Sequence, residues 1–585
     1  MTERAREPAA KGSSPRLAQW AGVAALVLVG VVVPLIVARH YTALGAPRGD
    51  DWSYLRTLFT WVDTGELNFN NWVSMTLLGQ LVLAAPLVWL RGRDIAAVQA
   101  LVTMLGFVGL LATAASGRFV TGRRSTGLLV ALVVAAGPMY ATLAVSFMTD
   151  VPGLAASSLA VLCGLYACTA PNRLAVGVGG AFAFGLYGFT IRQYCVVPVV
   201  AVAIVAVLLA RAEGDRGFQR KVIVGALAVV TVAVAFLVGW SAIPDAKALS
   251  PTWPDGHAIR SIAYEGGGMF RLAGLWLVPV TLIASPRRMI ERAWRSGPVV
   301  TCVIGASTFL ALAFTGRNAP RIAFAGNYFV PDGILSDGVS AGPRPDLVPE
   351  FWWNVLIAVG TLGATLLAIG ATPWLVGIAR RLRAHDLALH DPIGALLSLT
   401  IFGYAATYAL AALVGLPLYD RYVLPIIPLA AFSILRSDHV WQTSGHTEAP
   451  APVRRRSLLG PAGVGALAVL TSLSLLYTVD SASFDGVRWH VATEATRQGW
   501  HPKQVGGNFE WINYFSASPG SLARRRARIC VVVVLRPNGG RRLVASGRVV
   551  ASGTYRPPFH DSVAVVAVRN GVLCWPGLVP LDQNP

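Results

Sequence analysis

The sequence predicts an all-α polytopic membrane protein with a small external α+β domain at its C-terminal end. Two observations predict the membrane part. Of the 585 residues, 54% are hydrophobic and only 13% are charged, and apolar stretches of bilayer-spanning length recur along the chain. The third observation is a change of pattern after Val479, where β-branched runs separated by Gly and Pro indicate strands.

About thirteen apolar runs predict transmembrane helices, although several are shorter than the ~20 residues of a full span. They lie at 17–39, 95–115, 126–146, 151–169, 174–190, 195–211, 221–243, 270–285, 297–315, 353–377, 394–415, 422–436 and 458–478. The first run follows a basic head and indicates an uncleaved signal anchor. A further apolar run, 74–90, either spans the membrane or forms a juxtamembrane or re-entrant helix in the first external loop.

The distribution of arginines decides between these alternatives, because cytoplasmic loops are enriched in Lys and Arg. If 74–90 does not span, the basic segments share the side of the basic N-terminus, and most carboxylates lie on the other side. If it spans, every later loop changes sides and the rule fails repeatedly. We therefore predict a multi-pass protein of the cytoplasmic (inner) membrane, with a cytoplasmic N-terminus and an external C-terminal domain.

This topology divides the chain into three parts. They are a cytoplasmic basic tail at 1–16, a transmembrane domain at 17–479 and an external α+β domain at 480–585. Within the transmembrane domain we predict external loops at 40–94, 244–269 and 316–352, and a polar, Pro-rich cytoplasmic linker at 437–457. Cys530 and Cys574 lie in the external domain and could pair there. The role of that domain is left open.

Charge and motifs exclude two classes of ligand. The formal net charge is +20, but no basic patch is interleaved with stacking aromatics, so we predict no nucleic-acid partner. No Walker or Rossmann glycine motif is present in the sequence, which argues against a nucleotide donor.

Four clusters of ionisable and aromatic residues lie at predicted external helix ends. They contain Asp50, Asp51 and Tyr54; Asp150; Arg192 and Tyr194; and Asp420, Arg421 and Tyr422. Each cluster alone could simply satisfy a helix end, since Asp150 stands where an N-cap would and Asp420 could neutralise Arg421. Their convergence on one face favours function, because ionisable residues at membrane depth are costly.

These residue types suit group transfer from a lipid-linked phosphate. A carboxylate can take a proton from an acceptor hydroxyl while an arginine stabilises the charge on a phosphate leaving group. Paired acids could also hold a divalent cation, Mg²⁺ or Mn²⁺, with Asp51 as the candidate ligand. No other cofactor is predicted. Aromatic residues beside carboxylates at a membrane surface suit an amphiphilic substrate whose tail stays in the bilayer.

Three short motifs resemble those of the glycosyltransferase-C superfamily. "DDWSY" followed by "TGEL" resembles its first external loop, and "MTDVP" and "YDRYVLPIIPLA" resemble an acidic helix start and a late segment. The branch concerned contains the protein O-mannosyltransferases and the lipid A aminoarabinose transferases. The similarity covers roughly residues 17–480 at the level of layout. The β-rich tail is not a general feature of the superfamily.

The resemblance implies a membrane glycosyltransferase with a polyprenyl-phosphate-linked sugar donor, an external acceptor and inverting transfer. On this basis Asp50 would be the catalytic base, Asp51 its partner or a metal ligand, and Asp150 the second acid. Arg192 and Arg421 are proposed as phosphate contacts on charge alone. The remaining candidate substrate-binding residues are Tyr54, Tyr194, Asp420 and Tyr422.

The acceptor could be a glycan, a lipid or a protein, and two other functions compete with transfer. A transporter or flippase of lipid-linked sugars would be expected to carry charges near the middle of the bilayer and often an internal repeat. Here the charges lie at helix ends. A non-catalytic protein of cell-envelope assembly would instead use its tail to bind partners.

Overall fold

The computed structural model describes residues 15–246, 256–334, 344–383, 390–443, 460–516, 529–535 and 548–569. Helices dominate these residues. The α-helices are α1 Pro15–Val27, α2 Val33–His40, α3 Asp51–Thr64, α4 Leu78–Arg91, α5 Ile95–Thr121, α6 Arg124–Ala135, α7 Tyr140–Ala144, α8 Asp150–Ala167, α9 Pro171–Phe189, α10 Val197–Ala212, α11 Arg216–Ser241, α12 Gly256–Ser261, α13 Gly267–Trp276, α14 Val278–Ala284, α15 Pro286–Ser296, α16 Pro298–Asn318, α17 Glu350–Arg383, α18 Pro392–Leu413, α19 Ile426–Thr443, α20 Pro461–Arg497 and α21 Phe509–Phe515.

Many of these helices are long and apolar enough to cross a membrane, as a multi-pass protein requires. By length and composition, ten spans within the described residues meet this requirement, or eleven if a bent pair is counted as one. The ten are Gln19–His40, Ile95–Thr121, Asp150–Ala167, Gln193–Ala212, Arg216–Ser241, Pro298–Asn318, Glu350–Arg381, Pro392–Leu413, Asp420–Val440 and Pro461–Arg497. The bent pair is Ala258–Trp276 with Val278–Ala284, at an angle of 56°.

Breaks in the helices explain part of the difference from the predicted thirteen. The apolar run at 126–146 divides into α6 and the five-residue α7. Pro138 lacks an N–H group and disfavours a helical conformation of Gly137. Gly137 itself packs against the indole of Trp276, and a Cβ atom there would collide with that ring. The run at 174–190 does form one helix, α9, which is not among the ten spans.

The run at 74–90, predicted not to span, forms α4. This helix has 14 residues, which corresponds to about 21 Å of length. The hydrocarbon core of a bilayer is about 30 Å thick. The length of α4 therefore agrees with a juxtamembrane or re-entrant helix, whereas the orientation of the chain across the membrane stays a prediction.

The C-terminal part is the predicted small α+β unit. Its strands are β1 Val505–Gly506, β2 Val531–Leu535, β3 Val549–Tyr555 and β4 Val563–Arg569. They form one sheet in the order β1-β2-β4-β3, with β1 and β2 parallel and the other neighbours antiparallel. Alternate residues of β2 pack in an apolar core with α20 and α21; this core includes Val531, Val533, Val491 and Trp511.

No helix ends at the predicted domain boundary, 479/480, because α20 continues through it from Pro461 to Arg497. The sheet is therefore built directly on the last long apolar helix. Parts of several predicted segments lie outside the described residues. These are 1–14, 247–255, 335–343, 444–459, 517–528, 536–547 and the tail from 570 onwards, which includes Cys574.

Candidate active site

The beginnings of several helices meet at the predicted site. Asp51 begins α3 and Asp150 begins α8. Arg192 directly precedes a 3₁₀ turn, Gln193–Val196, that leads into α10. A second 3₁₀ turn, Asp420–Val423, leads into α19. Helix N-termini carry free N–H groups and a partial positive charge, so this region favours an anionic ligand.

Asp150 joins the two arginines of the site. Its Oδ1 atom forms an ion pair with Nη2 of Arg192 and lies 3.8 Å from Nε of Arg421. All three side chains are buried. The Tyr194 hydroxyl donates to the backbone carbonyl of Asp150 at 3.4 Å. One buried carboxylate therefore holds two guanidinium groups side by side.

Asp50 is the second carboxylate of this cluster and is 29% exposed. Its Oδ2 atom lies 3.4 Å from Nη2 of Arg421. Its Oδ1 atom accepts a hydrogen bond of 2.9 Å from the indole N–H of Trp72. Segments that are 371 residues apart in the chain thus meet here. The structure brings together Asp50, Asp150, Arg192 and Arg421, as the sequence predicts.

Aromatic rings cover both guanidinium groups. The Arg421 guanidinium carbon lies 4.9 Å from the ring centroid of Tyr419, 5.3 Å from that of Tyr328 and 5.9 Å from that of Tyr422. The Arg192 guanidinium carbon lies 5.3 Å from the centroid of Tyr422. These distances are within the range of cation–π attraction. Tyr422 therefore bridges the two arginines.

Tyr54 also lies beside the charged cluster, one turn into α3. Its ring is buried, and burial raises the pKa of its hydroxyl, while Asp50 and Arg192 act on it through their charges. The hydroxyl therefore stays protonated at neutral pH. It can contribute a hydrogen bond to a ligand but no negative charge.

Asp51 points away from the cluster. It is fully buried, and its two carboxylate oxygens accept from the backbone N–H groups of Arg48 and Phe147, the latter at 3.1 Å. Burial raises its pKa to about 8, and the two backbone hydrogen bonds oppose that rise. Of the two predicted roles, partner of Asp50 or metal ligand, these contacts favour the first, because both carboxylate oxygens already bind the backbone.

Asp420 also binds backbone groups. Its Oδ2 atom accepts from the N–H groups of Asn327, Tyr328 and Phe329, at 3.0, 2.6 and 2.7 Å. Its Oδ1 atom accepts from the N–H of Arg421 at 2.8 Å. Asp420 was predicted to bind substrate, but its contacts fix the 327–329 turn against the start of α19. It thereby holds the Tyr328 ring beside Arg421.

Three aromatic residues that contact the site are not among the candidates predicted from the sequence, namely Trp72, Tyr328 and Tyr419. Tyr419 stands directly before Asp420 in "LPLYDRY" and could have been included on that ground. Trp72 and Tyr328 lie in the first and third predicted external loops, where many aromatics occur. No local pattern distinguishes these two residues from the other aromatics of those loops.

The side chains of the cluster do not fit a divalent cation. Asp50 and Asp150 both pair with arginines, and both oxygens of Asp51 bind backbone N–H groups. In the part of the chain that the structure describes, no three His, Cys, Asp or Glu side chains are grouped as metal ligands. Cations such as Mg²⁺ need several oxygen ligands, which these side chains do not supply.

Solved structures similar to this chain include two of ArnT. The crystal structure of ArnT from Cupriavidus metallidurans bound to undecaprenyl phosphate matches 95% of this chain and 98% of its own, with 12% sequence identity and a TM-score of 0.45. Its apo structure matches the same shares, with 14% identity and a TM-score of 0.38. ArnT is a lipid A aminoarabinose transferase of the glycosyltransferase-C fold. No protein-family model matches the chain, and no curated protein matches it.

Proposed function

We propose that this protein is a membrane glycosyltransferase. It moves a sugar from a polyprenyl-phosphate-linked donor to an acceptor on the external side of the cytoplasmic membrane, with inversion at the anomeric carbon. One observation carries the proposal: a partly exposed carboxylate, Asp50, lies 3.4 Å from the guanidinium group of a buried arginine, Arg421. A base for the acceptor and a cation for the leaving group are thus adjacent.

Asp50 acts as the general base. As the acceptor oxygen attacks the anomeric carbon on the face opposite the phosphate, Asp50 takes the proton of the acceptor hydroxyl. The bond between the anomeric carbon and the phosphate oxygen breaks, and its electron pair stays on that oxygen. The products are the glycosylated acceptor, polyprenyl phosphate and protonated Asp50. A single displacement of this kind inverts the anomeric configuration.

Arg421 and Arg192 bind the phosphate. Within the described residues, the Nε atoms of both arginines are buried without a hydrogen-bond partner. Buried donors without partners are costly, and an arginine can bind two oxygens of a phosphate at once. As Asp50 takes up the proton it loses its charge, while the leaving phosphate gains one. The net charge of the cluster together with the donor is therefore unchanged, and Arg421 exchanges its interaction with Asp50 for one with the phosphate.

The position of the cluster supports a lipid-linked donor over a soluble one. Asp150 and Asp420 begin two of the candidate spans, Asp150–Ala167 and Asp420–Val440. A phosphate bound at their N-terminal ends is at the level of a membrane surface, where a polyprenyl chain can remain in the lipid. The free N–H groups of such helix ends favour anions.

The proposal is tested in a strain that lacks this protein. Mass analysis of its cell-envelope glycans, lipids and proteins is expected to reveal one missing sugar. Wild-type protein should restore that sugar, and Asp50→Asn should not, although an Asn can still accept from Trp72 and should not disturb the fold. Asp63→Asn is the matched control, because Asp63 lies near the end of α3, the helix that directly follows Asp50, is exposed and pairs with Arg93 outside the cluster.

Two results would contradict the proposal. One is an unchanged set of sugars in every envelope fraction of the deletion strain. The other is full restoration by Asp50→Asn when its amount in the membrane equals that of Asp63→Asn. Restoration by Asp50→Asn would instead fit a transporter or an assembly protein, since neither needs a base at this position.

A further inference from the structure

The C-terminal α+β unit contacts the loop that carries Asp50. Helix α21 begins next to Asn508, whose side chain accepts from the N–H of Trp511 at 2.7 Å and so caps the helix. The first two residues of α21, Phe509 and Glu510, face the first external loop. Helix α3 of that loop and α21 thus lie against each other directly beside the cluster.

Phe509 packs against the tryptophan that holds Asp50. Its ring centroid lies 5.2 Å from that of Trp72 and 6.1 Å from that of Trp52. The two tryptophan rings are themselves 5.9 Å apart. Trp72 donates its indole N–H to Oδ1 of Asp50 at 2.9 Å. Phe509 of α21 therefore contacts Trp72, and Trp72 in turn contacts the proposed base, Asp50.

The backbone before Asp50 is held by the same unit. The N–H of Gly49 donates to Oε1 of Glu510 at 3.3 Å, and Gly49 has a φ of 61°, a conformation that favours glycine. The Arg48 side chain pairs with Asp485 at 2.9 Å and donates to Ser481 at 2.6 Å, both in α20. Residues 48 and 49 are thus fixed to helices of the C-terminal part.

We propose that Phe509 and Glu510 are positioning residues of the transferase site. Phe509 fixes the Trp72 indole, which orients the Asp50 carboxylate, and Glu510 fixes the backbone that leads into Asp50. The C-terminal unit, whose role the sequence left open, therefore helps to form the active site. This inference rests on the proposed function, because it assigns a role to the base of that reaction.

The test uses the purified full-length protein in lipid nanodiscs. The donor is the polyprenyl-phosphate-linked form of the sugar that the deletion strain lacks, and the acceptor is the envelope component that lacks it. Phe509→Ala and Trp72→Phe are expected to lower kcat by about 10- to 100-fold, as for a misplaced catalytic group. The KM for the lipid donor should stay within about twofold, because the base does not bind the donor phosphate. Phe509→Tyr keeps the ring and should restore kcat.

A double variant shows whether Phe509 acts through Trp72. Once the indole N–H is absent in Trp72→Phe, the added change Phe509→Ala should cost almost nothing more, so the two effects should not be additive. Phe515→Ala is the matched control in the same helix. Phe515 packs 4.6 Å from Trp511 within the C-terminal unit, so this change should lower the melting temperature and leave kcat of the folded protein within about twofold.

The outcomes separate this inference from the proposed function. Wild-type protein that transfers no sugar would overturn the proposed function itself. An active wild type together with an unchanged kcat in Phe509→Ala would overturn this inference alone. Additive losses in the double variant, or an equal loss of kcat in Phe515→Ala, would also overturn it, because they would indicate a general effect of the unit's stability.

Discussion

Nη2 of Arg421 lies 3.4 Å from Oδ2 of Asp50, which is longer than the ~2.8 Å of a strong charge-assisted hydrogen bond. At this distance the two charges attract each other, but the hydrogen bond between them is weak. Among the described residues, this is the one hydrogen bond that the Arg421 guanidinium makes. A phosphate oxygen that enters beside it can therefore bind Arg421 without displacing a strong partner.

Replacement of Arg421 by Lys should disable transfer. A single ammonium group cannot lie near both Asp50 and Asp150 and also bind two phosphate oxygens. We expect kcat to fall by about 10²- to 10³-fold, as on loss of a donor that stabilises a leaving group. Steady-state assays of sugar transfer measure the effect. Arg93→Lys, an exposed Arg of the first loop, should remain fully active, and an Arg421→Lys variant within threefold of wild type would contradict the assignment.

Much of the site was predictable because it depends on the order of charges along the chain. The basic loops predict the sides of the membrane, and this topology brings Asp50, Asp150, Arg192 and Arg421 to one face. Their ion pairs agree with that prediction. The layout of the helices follows in the same way from the apolar runs.

The role of Asp51 was less accessible, although the resemblance already assigned the base to Asp50. It depends on the backbone N–H groups that bind the Asp51 carboxylate, one of which, that of Phe147, comes from a distant segment. The break in the run at 126–146 likewise reflects the distant Trp276 ring as well as Pro138. Such tertiary contacts leave no periodic pattern in a single sequence.

Asp150 and Asp50 should differ in what their replacement does to stability. Asp150 is buried between two arginines, and Asp150→Asn leaves both guanidinium groups without a buried counter-charge. We expect the free energy of unfolding to fall by about 3–5 kcal/mol, which is typical when one partner of a buried ion pair is removed. Asp50→Asn, at a partly exposed position, should change it little. Unfolding of both variants in the same detergent by denaturant or heat compares them, and equal stability would contradict the structural role of Asp150.

Burial of Asp51 should make the stability of the protein depend on pH. Its pKa is raised by burial from 3.8 to about 8, so the folded protein keeps a proton that the unfolded chain loses. The unfolded state therefore binds fewer protons between about pH 4 and about pH 8, and the free energy of unfolding falls as the pH rises through this window. The amide of Asp51→Asn has no titratable proton, so the stability of this variant lacks this dependence on pH.

Melting temperatures between pH 5 and pH 9 test the titration of Asp51. The Tm of wild type minus that of Asp51→Asn should fall as the pH rises towards about 8 and then level off. Asp63→Asn removes an exposed carboxylate and serves as the reference for general effects of pH. If the difference between wild type and Asp51→Asn were constant over this range, the carboxyl would not hold a proton in the folded state.

Tyr328 should act through its ring and not through its hydroxyl. The ring lies 5.3 Å from the Arg421 guanidinium carbon, and Asp420 fixes the backbone N–H of Tyr328 at 2.6 Å. Tyr328→Phe keeps the ring and should retain kcat/KM within about twofold. Tyr328→Ala removes a cation–π contact worth about 1–2 kcal/mol at a buried site and should lower kcat/KM by about 5- to 30-fold.

Asp420→Asn provides the second arm of this test. An amide in place of the carboxylate can accept fewer of the four backbone N–H groups that Asp420 binds, so the 327–329 turn should lose its fixed place. Activity should fall, and the loss should not add to that of Tyr328→Ala if Asp420 acts by holding this ring. Additive losses would assign Asp420 a separate contact with substrate, as the sequence alone suggested. A loss in Tyr328→Phe as large as in Tyr328→Ala would show that the hydroxyl, and not the ring, is what Arg421 and the substrate require.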